Sequence, residues 1–155
     1  NGFALDEGDH LPVPDGVGAN HFLHGTIGDV AMRTTLRQHI DLKKLRSTIR
    51  KGATYHFSAW IGGWKKQKDE AQVRVVFFDE DGNELGEDTL GPVTAADRAS
   101  KNGMRKRQSE GSVPHASHKV VIELIFDKEQ GGSVSDAAMD LLELVISKES
   151  TPLQN

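Results

Sequence analysis

Tyr55-His56-Phe57-Ser58-Ala59-Trp60-Ile61-Gly62-Gly63-Trp64 reads as a strand that runs into a glycine loop. In an extended chain successive side chains point to opposite sides. Tyr55, Phe57, Ala59 and Ile61 therefore share one face, and His56, Ser58 and Trp60 share the other. The first row is apolar and suits a core. The second is polar with one large ring, which suits a surface that touches something. A binding module fits this pairing better than an enzyme.

Outward from this stretch, short apolar runs alternate with turn signals. Val30 to Ile40 reads as a strand, and Asp41 to Arg50 as one or two helical turns capped by Asp41 and followed by Gly52. Leu42, Leu45 and Ile49 fall at i, i+3, i+7 on one helical face. Gln72 to Asp79 alternates strongly, and Glu80-Asp81-Gly82-Asn83 is a hairpin turn in which Gly82 supplies positive φ before the return strand Glu84 to Leu90. A long loop spans Gly91 to Asn102. Met104 to Glu110, His118 to Phe126 and Leu141 to Ile146 read as further strands. Residues 1–29 look irregular, because Pro12, Pro14, Gly16, Gly18, Gly25 and Gly28 break every period. Residues 151–155 read as a tail.

Seven or so strands with regular turns predict an all-β fold: one antiparallel two-sheet jelly-roll β-sandwich over residues 1–150, with one short helix. The predicted inner positions are Tyr55, Phe57, Ala59, Ile61, Val73, Val75, Phe77, Val120, Ile122, Leu124, Leu142 and Leu144. Strand 119–126 is apolar on both faces, so its alternation permits either facing.

The 155 residues suffice for one domain with a real core. With 19 basic and 23 acidic side chains the net charge is −4, which gives no electrostatic signature of nucleic-acid binding. No apolar run approaches the ~20 residues of a membrane span. The chain starts at Asn1 without methionine, as a trimmed, processed or excised segment does, and a leader could have been removed. Cysteine is absent, so disulfides and thiolate zinc sites are excluded.

Several motifs together resemble the galactose-binding-domain-like β-sandwich modules. They are Tyr-x-Phe-Ser-Ala-Trp-x-Gly-Gly at 55–63, Asp69-x-Ala71-x-Val73-x-Val75-x-Phe77, Asp79-x-x-Gly82, Leu90-Gly91-Pro92-Val93-Thr94-Ala95-Ala96-Asp97-Arg98, Gly111-x-Val113-Pro114 and Asp136-Ala137-Ala138-x-Asp140-x-x-x-Leu144. The resemblance covers residues 20–148. Such modules occur in many secreted bacterial proteins, often as carbohydrate-binding modules. It implies a non-catalytic module or lectin, secreted or extracellular, that binds glycan or polysaccharide, with a structural calcium ion. Two departures touch the calcium. The expected Phe-Glu pair of the first strand is Phe3-Ala4 here, with Asp6, Glu7 and Asp9 later, and the expected Asp-Asn pair is Asp140-Leu141.

Each candidate site residue has two readings. Trp60 and Trp64 can stack on the C–H faces of sugar rings, with His56 and Arg98 contacting hydroxyls. Equally, Trp60 can fill a sandwich layer and Trp64 can plug its end. Glu7, Asp9 and Asp140 can join around calcium, which needs six to eight oxygens, or remain solvated acids. Asp97-Arg98 can meet a ligand or pin the 91–102 loop through ion pairs. His21 with His24, and His115 with His118, have metal-pair spacing but no cysteine or helical partner. Lys101, Arg105, Lys106 and Arg107 can attract an acidic glycan or form a solvated strand face. No nucleophile elbow, P-loop or dinucleotide fingerprint is present, so no enzyme is expected. The competing functional reading is a structural or adhesion module that docks another protein or domain, or itself, through the same apolar patch.

Overall fold

The computed structural model describes residues 4–7, 21–25, 32–129 and 135–149, with the side chains of 4–7, 21 and 22 left aside. It is a two-sheet antiparallel sandwich. The strands are β1 (Ala4–Glu7), β2 (His21–His24), β3 (Arg33–Asp41), β4 (Ala53–Gly63), β5 (Glu70–Phe78), β6 (Glu84–Leu90), β7 (Gly103–Ser112), β8 (Lys119–Asp127) and β9 (Ala138–Lys148). One sheet has the order β1-β2-β9-β4-β7 and the other β3-β8-β5-β6. Pairing of β4 between β9 and β7 puts residues 55–63 on an interior strand of the larger sheet, next to its β7 edge.

Alternation decides the interior. Phe57, Ala59, Ile61, Val73, Val75, Phe77, Val120 and Ile122 are buried between the sheets, and Tyr55, Leu124, Leu142 and Leu144 pack against them half-buried. Every predicted inner position faces this core. Burial of apolar side chains at ~25 cal/mol per Å² drives the two faces together. The apolar outer row of β8 also finds cover: Val121 is buried opposite Val76 of β5, beneath a carboxylate ladder in which Glu123 bridges Arg37 and Arg74.

Two expectations shift. The N-terminal segment expected to be irregular contributes two short strands, β1 and β2, which extend the edge of the larger sheet beside β9. Strands of four residues leave too few alternating positions for a sequence signal. The expected helix 41–50 is a 3₁₀ turn at Lys43–Leu45 continuing into α1 (Arg46–Arg50). Asp41 accepts the Lys43 N–H at 2.6 Å, and Leu42 and Ile49 are buried as the i, i+7 pattern requires. The β5–β6 turn is as read. Gly82 has φ +85°, and the Asp79 carboxylate accepts the Asn83 backbone and side-chain N–H groups at 2.7 and 2.9 Å.

Candidate functional site

The even-numbered residues of β4 face away from the core. Strand register gives each two neighbours on the outer face of the larger sheet. Gly62 lies between Met104 and Ala138, Trp60 between Lys106 and Asp140, Ser58 between Gln108 and Glu143, and His56 between Glu110 and Val145. The face is thus a ladder of hydrogen-bonding side chains that ends in an apolar row. Trp60 and Trp64, both partly exposed, pack against Met104 and Ala138. Gly62 makes this possible. A Cβ there would stand 2.1 Å from the Gly103 carbonyl oxygen and 2.7 Å from Met104 Cα, so only glycine lets β7 approach. Four positions separate the two tryptophans in sequence, and both rings pack on the same Met104–Ala138 row, so together they form one apolar patch.

A bulge shapes the β9 side. Ser58 pairs Glu143 but Trp60 pairs Asp140, so β9 holds one extra residue, with Leu141 at φ +44°. Asp140 and Leu141 both point outward, and the Leu141 N–H donates to Asp140 Oδ1 at 2.7 Å. Leu141 is 47% exposed and Val145 42% exposed, an apolar strip beside the polar ladder.

Trp64 opens onto a second feature. A cavity of about 510 Å³ is lined by Trp64, Lys65, Lys66, Gln67, Ser100 and Glu129. Lys65 Nζ lies 5.1 Å from the Trp64 ring centroid. The loops that build this cavity are held from beneath by Arg98, which is 1% exposed. Its Nη1 donates to the carbonyls of Gly63 at 2.8 Å, Lys65 at 3.2 Å and Lys101 at 2.5 Å. Burial depresses its affinity for the proton, with nearby Arg105 adding to the effect and Asp97 opposing it. Lys65, Ala99 and Ser100 all have left-handed φ of +44°, +52° and +57°, and the Lys65 N–H donates to Asn102 Oδ1. Three non-glycine residues in that region mark strain which the surrounding bonds must hold.

Asp97 locks the same loop from outside. Its carboxylate accepts the Thr94 N–H and hydroxyl at 2.9 and 2.8 Å, the Asp97 N–H returns to Thr94 Oγ1, and Arg107 pairs with it at 3.2 Å. Backbone and side-chain bonds from Thr94 hold this carboxyl below its ordinary range. The Asp97–Arg98 pair thus pins the loop, by ion pairing outside and by carbonyl capture inside. Arg98, read from sequence as a ligand contact, is turned into the protein.

The other candidates stand as follows. His56 lies on the outer face beside a cavity of about 440 Å³ that it lines with Thr54, Tyr55, Glu110, Gly111, Ser112 and Ser147. Asp140 is beside Trp60. Glu7 lies in β1 opposite His21, its side chain outside those described, and Asp9 lies outside the described residues. Among the described residues no group of three His, Asp or Glu is placed to hold a metal ion. His24 is buried, and His118 Nδ1 lies 2.7 Å from Arg46 Nη2. Sequence reading missed the partners of Trp60, namely Asp140 on β9 and Lys106 on β7, because pairing between distant strands leaves no local trace.

No protein-family model matches the sequence, and no curated protein matches it. Solved structures do. The enzymatically active domain of bacteriophage CBA120 tailspike protein 4 superposes with a TM-score of 0.62 at 14% identity, over 94% of this chain and 18% of that one. A family 16 carbohydrate-binding module superposes with a TM-score of 0.51 at 17% identity, over 83% of this chain and 78% of that one. The fold is that of a carbohydrate-binding-module-like β-sandwich. At these identities the likeness concerns the fold alone. The chain spans 18% of the tailspike domain's length. No helix among the described residues is long and apolar enough to cross a membrane.

Proposed function

We propose that the outer face of β7, β4 and β9 binds glycan without cleaving it, with Trp60 and Trp64 as stacking platforms. The observation that carries this reading is the placement of Trp60: half-buried on an interior strand of the larger sheet, facing away from the core, in a row with Lys106 and Asp140. An indole offers sugar C–H groups a flat apolar surface, while the flanking polar side chains take hydroxyl hydrogen bonds. Gln108, Glu143, His56 and Glu110 continue that polar ladder. Two indoles over one apolar row, continued by the polar ladder, offer a surface longer than a single sugar ring. Cleavage would need two carboxylates facing each other across a scissile bond, and an open sheet face holds a polymer from one side only. The carbohydrate-binding module among the structural neighbours supports glycan as the first ligand class to test. Such a module would act outside the cell, where polysaccharide is found.

A glycan array read together with tryptophan fluorescence tests this. A bound oligosaccharide shifts or quenches the emission, and Trp60→Ala and Trp64→Ala each weaken binding by about tenfold or more. Retained binding in both variants would refute the assignment. The calcium ion that the sequence resemblance implies, with Asp140 as one donor, is tested by whether calcium raises Tm and whether Asp140→Ala abolishes the rise.

The exposed Leu141 and Val145 favour a second reading, a face that contacts another protein or a second copy. Self-association lost in Leu141→Asn, with no glycan perturbing either indole, would select it.

A further inference from the structure

We infer that the ligand of this face is an anionic glycan, one bearing carboxylate or sulfate groups, which lies with its charged groups along the β7 side; this rests on the glycan-binding reading above. The chain carries net charge −4, yet the neighbourhood of the indoles is positive. Lys106 stands directly across from Trp60 on β7. Lys65 and Lys66 line the Trp64 cavity. The Lys101 carbonyl is gathered with those of Gly63 and Lys65 onto one Arg98 nitrogen, which places Lys101 at the same rim. All four lysines are exposed. Among the described residues none of the four makes an ion pair.

Of the acids near the indoles, Asp97 pairs with Arg107 and Glu129 with Lys68 at 3.4 Å. Asp140 beside Trp60 and Glu143 beside Ser58 lie on the opposite, β9, side, and the acid on β7 is Glu110, beside His56 and four residues from Lys106. Arg98 adds a buried positive charge beneath the loops, bonded to carbonyls rather than to a carboxylate. Exposed lysines gathered on one rim raise the local positive potential, which attracts a ligand anion.

The two flanks of Trp60 differ in sign, so they order the ligand. Anionic groups go to Lys106 and the loop lysines, and neutral hydroxyls go to Asp140 and Glu143. A nucleic-acid strand shares the charge and the stacking, but a chain of net charge −4 lacks the basic footprint that such a polymer usually requires.

The test is titration of the full chain, followed by tryptophan fluorescence and calorimetry, with four probes: a polygalacturonate oligomer for carboxylate, a heparin oligomer for sulfate, a neutral xylo-oligosaccharide, and a single-stranded oligonucleotide of matched charge. The expected result is at least about tenfold preference for one of the acidic glycans over the neutral one. That preference should fade between roughly 50 and 300 mM salt, as the Debye length contracts from about 14 to about 6 Å. Lys66→Gln with Lys106→Gln should reduce it about tenfold with Tm unchanged, and Asp140→Asn should raise affinity for the acidic glycan. Indole-dependent binding of the neutral glycan as tightly as of both acidic ones would overturn the inference and leave the glycan reading standing. Equal binding of the oligonucleotide would overturn it as plain polyanion attraction. Silence of both indoles to every glycan would instead overturn the glycan reading on which the inference stands.

Discussion

Replacing Arg98 by methionine removes the buried charge while keeping much of its volume, and the structure sets the size of the effect. The guanidinium donates to three backbone carbonyls, of Gly63, Lys65 and Lys101. Hydrogen bonds to a charged group contribute ~1.5–3 kcal/mol each, and the two N–H groups of Nη1 shared among these carbonyls give about 3 to 6 kcal/mol before costs. Against this stands the desolvation of a cation that has no carboxylate on it, and whose Nε finds no partner, a penalty of several kcal/mol. The variant escapes that penalty but leaves three carbonyls to rebuild their bonds around left-handed Lys65, Ala99 and Ser100. The net expectation is a loss of about 3 kcal/mol, which for a chain of this size lowers Tm by about 10 °C. Urea denaturation followed by tryptophan emission measures it, and an unchanged m-value shows that the loss is one of stability. Arg98→Lys should recover only part, since its ammonium sits one bond short of the Nη1 position where the three carbonyls converge and is more strongly hydrated. Stability of Arg98→Met within about 0.5 kcal/mol of the parent would refute the reasoning, because the loops would then be ordered by something else.

Asp136 is held above its ordinary pKa, first by burial and then by Asp69, against smaller opposing effects of His24 and the Gln67 side chain. A carboxyl whose folded pKa is raised favours the folded state while protonated, and that contribution is lost as pH rises through the folded value. Asp136→Asn should therefore raise Tm at neutral pH, with the gain shrinking on acidification through the carboxylate range; a gain that grows on acidification would contradict this. Gly62→Ala should cost about 3 kcal/mol or more in thermal denaturation, because its methyl would strike the Gly103 carbonyl. Leu141→Asn should stabilise by about 0.5–1 kcal/mol, since asparagine tolerates the left-handed conformation at far lower cost than leucine; a lower Tm would show instead that exposed Leu141 packs against a second molecule.

The residues themselves determined the sandwich. Period-two alternation in 53–61 and 72–79 is a local property, and it reports which row each strand hides, because one row of every pleat has to leave water. Hence Phe57 and Val75 could be placed inside from their neighbours alone, whereas strand 118–126 is apolar on both rows and the facing of Ile122 was decided only by the pairing of β8. The Asp79–Asn83 turn was legible for the same reason, since its bonds join residues four apart. Strands β1 and β2 were not legible, because four residues carry too short a pattern and their pairing is fixed by β9, more than a hundred residues away.

The candidate site divides along the same line. Trp60 and His56 could be seen on an outward row, but what lies beside them could not. Lys106 reaches Trp60 across 45 intervening positions, and Asp140 does so only through a bulge that shifts the register by one residue. Arg98 shows the limit most clearly. Its sequence neighbours Asp97 and Ala99 are exposed, and nothing local says that the side chain turns under two loops to gather carbonyls. Local chemistry selects strand, turn and face. Which charges meet an indole, and whether an arginine greets a ligand or props the backbone that presents one, is decided by contacts that exist only once distant strands have closed on each other.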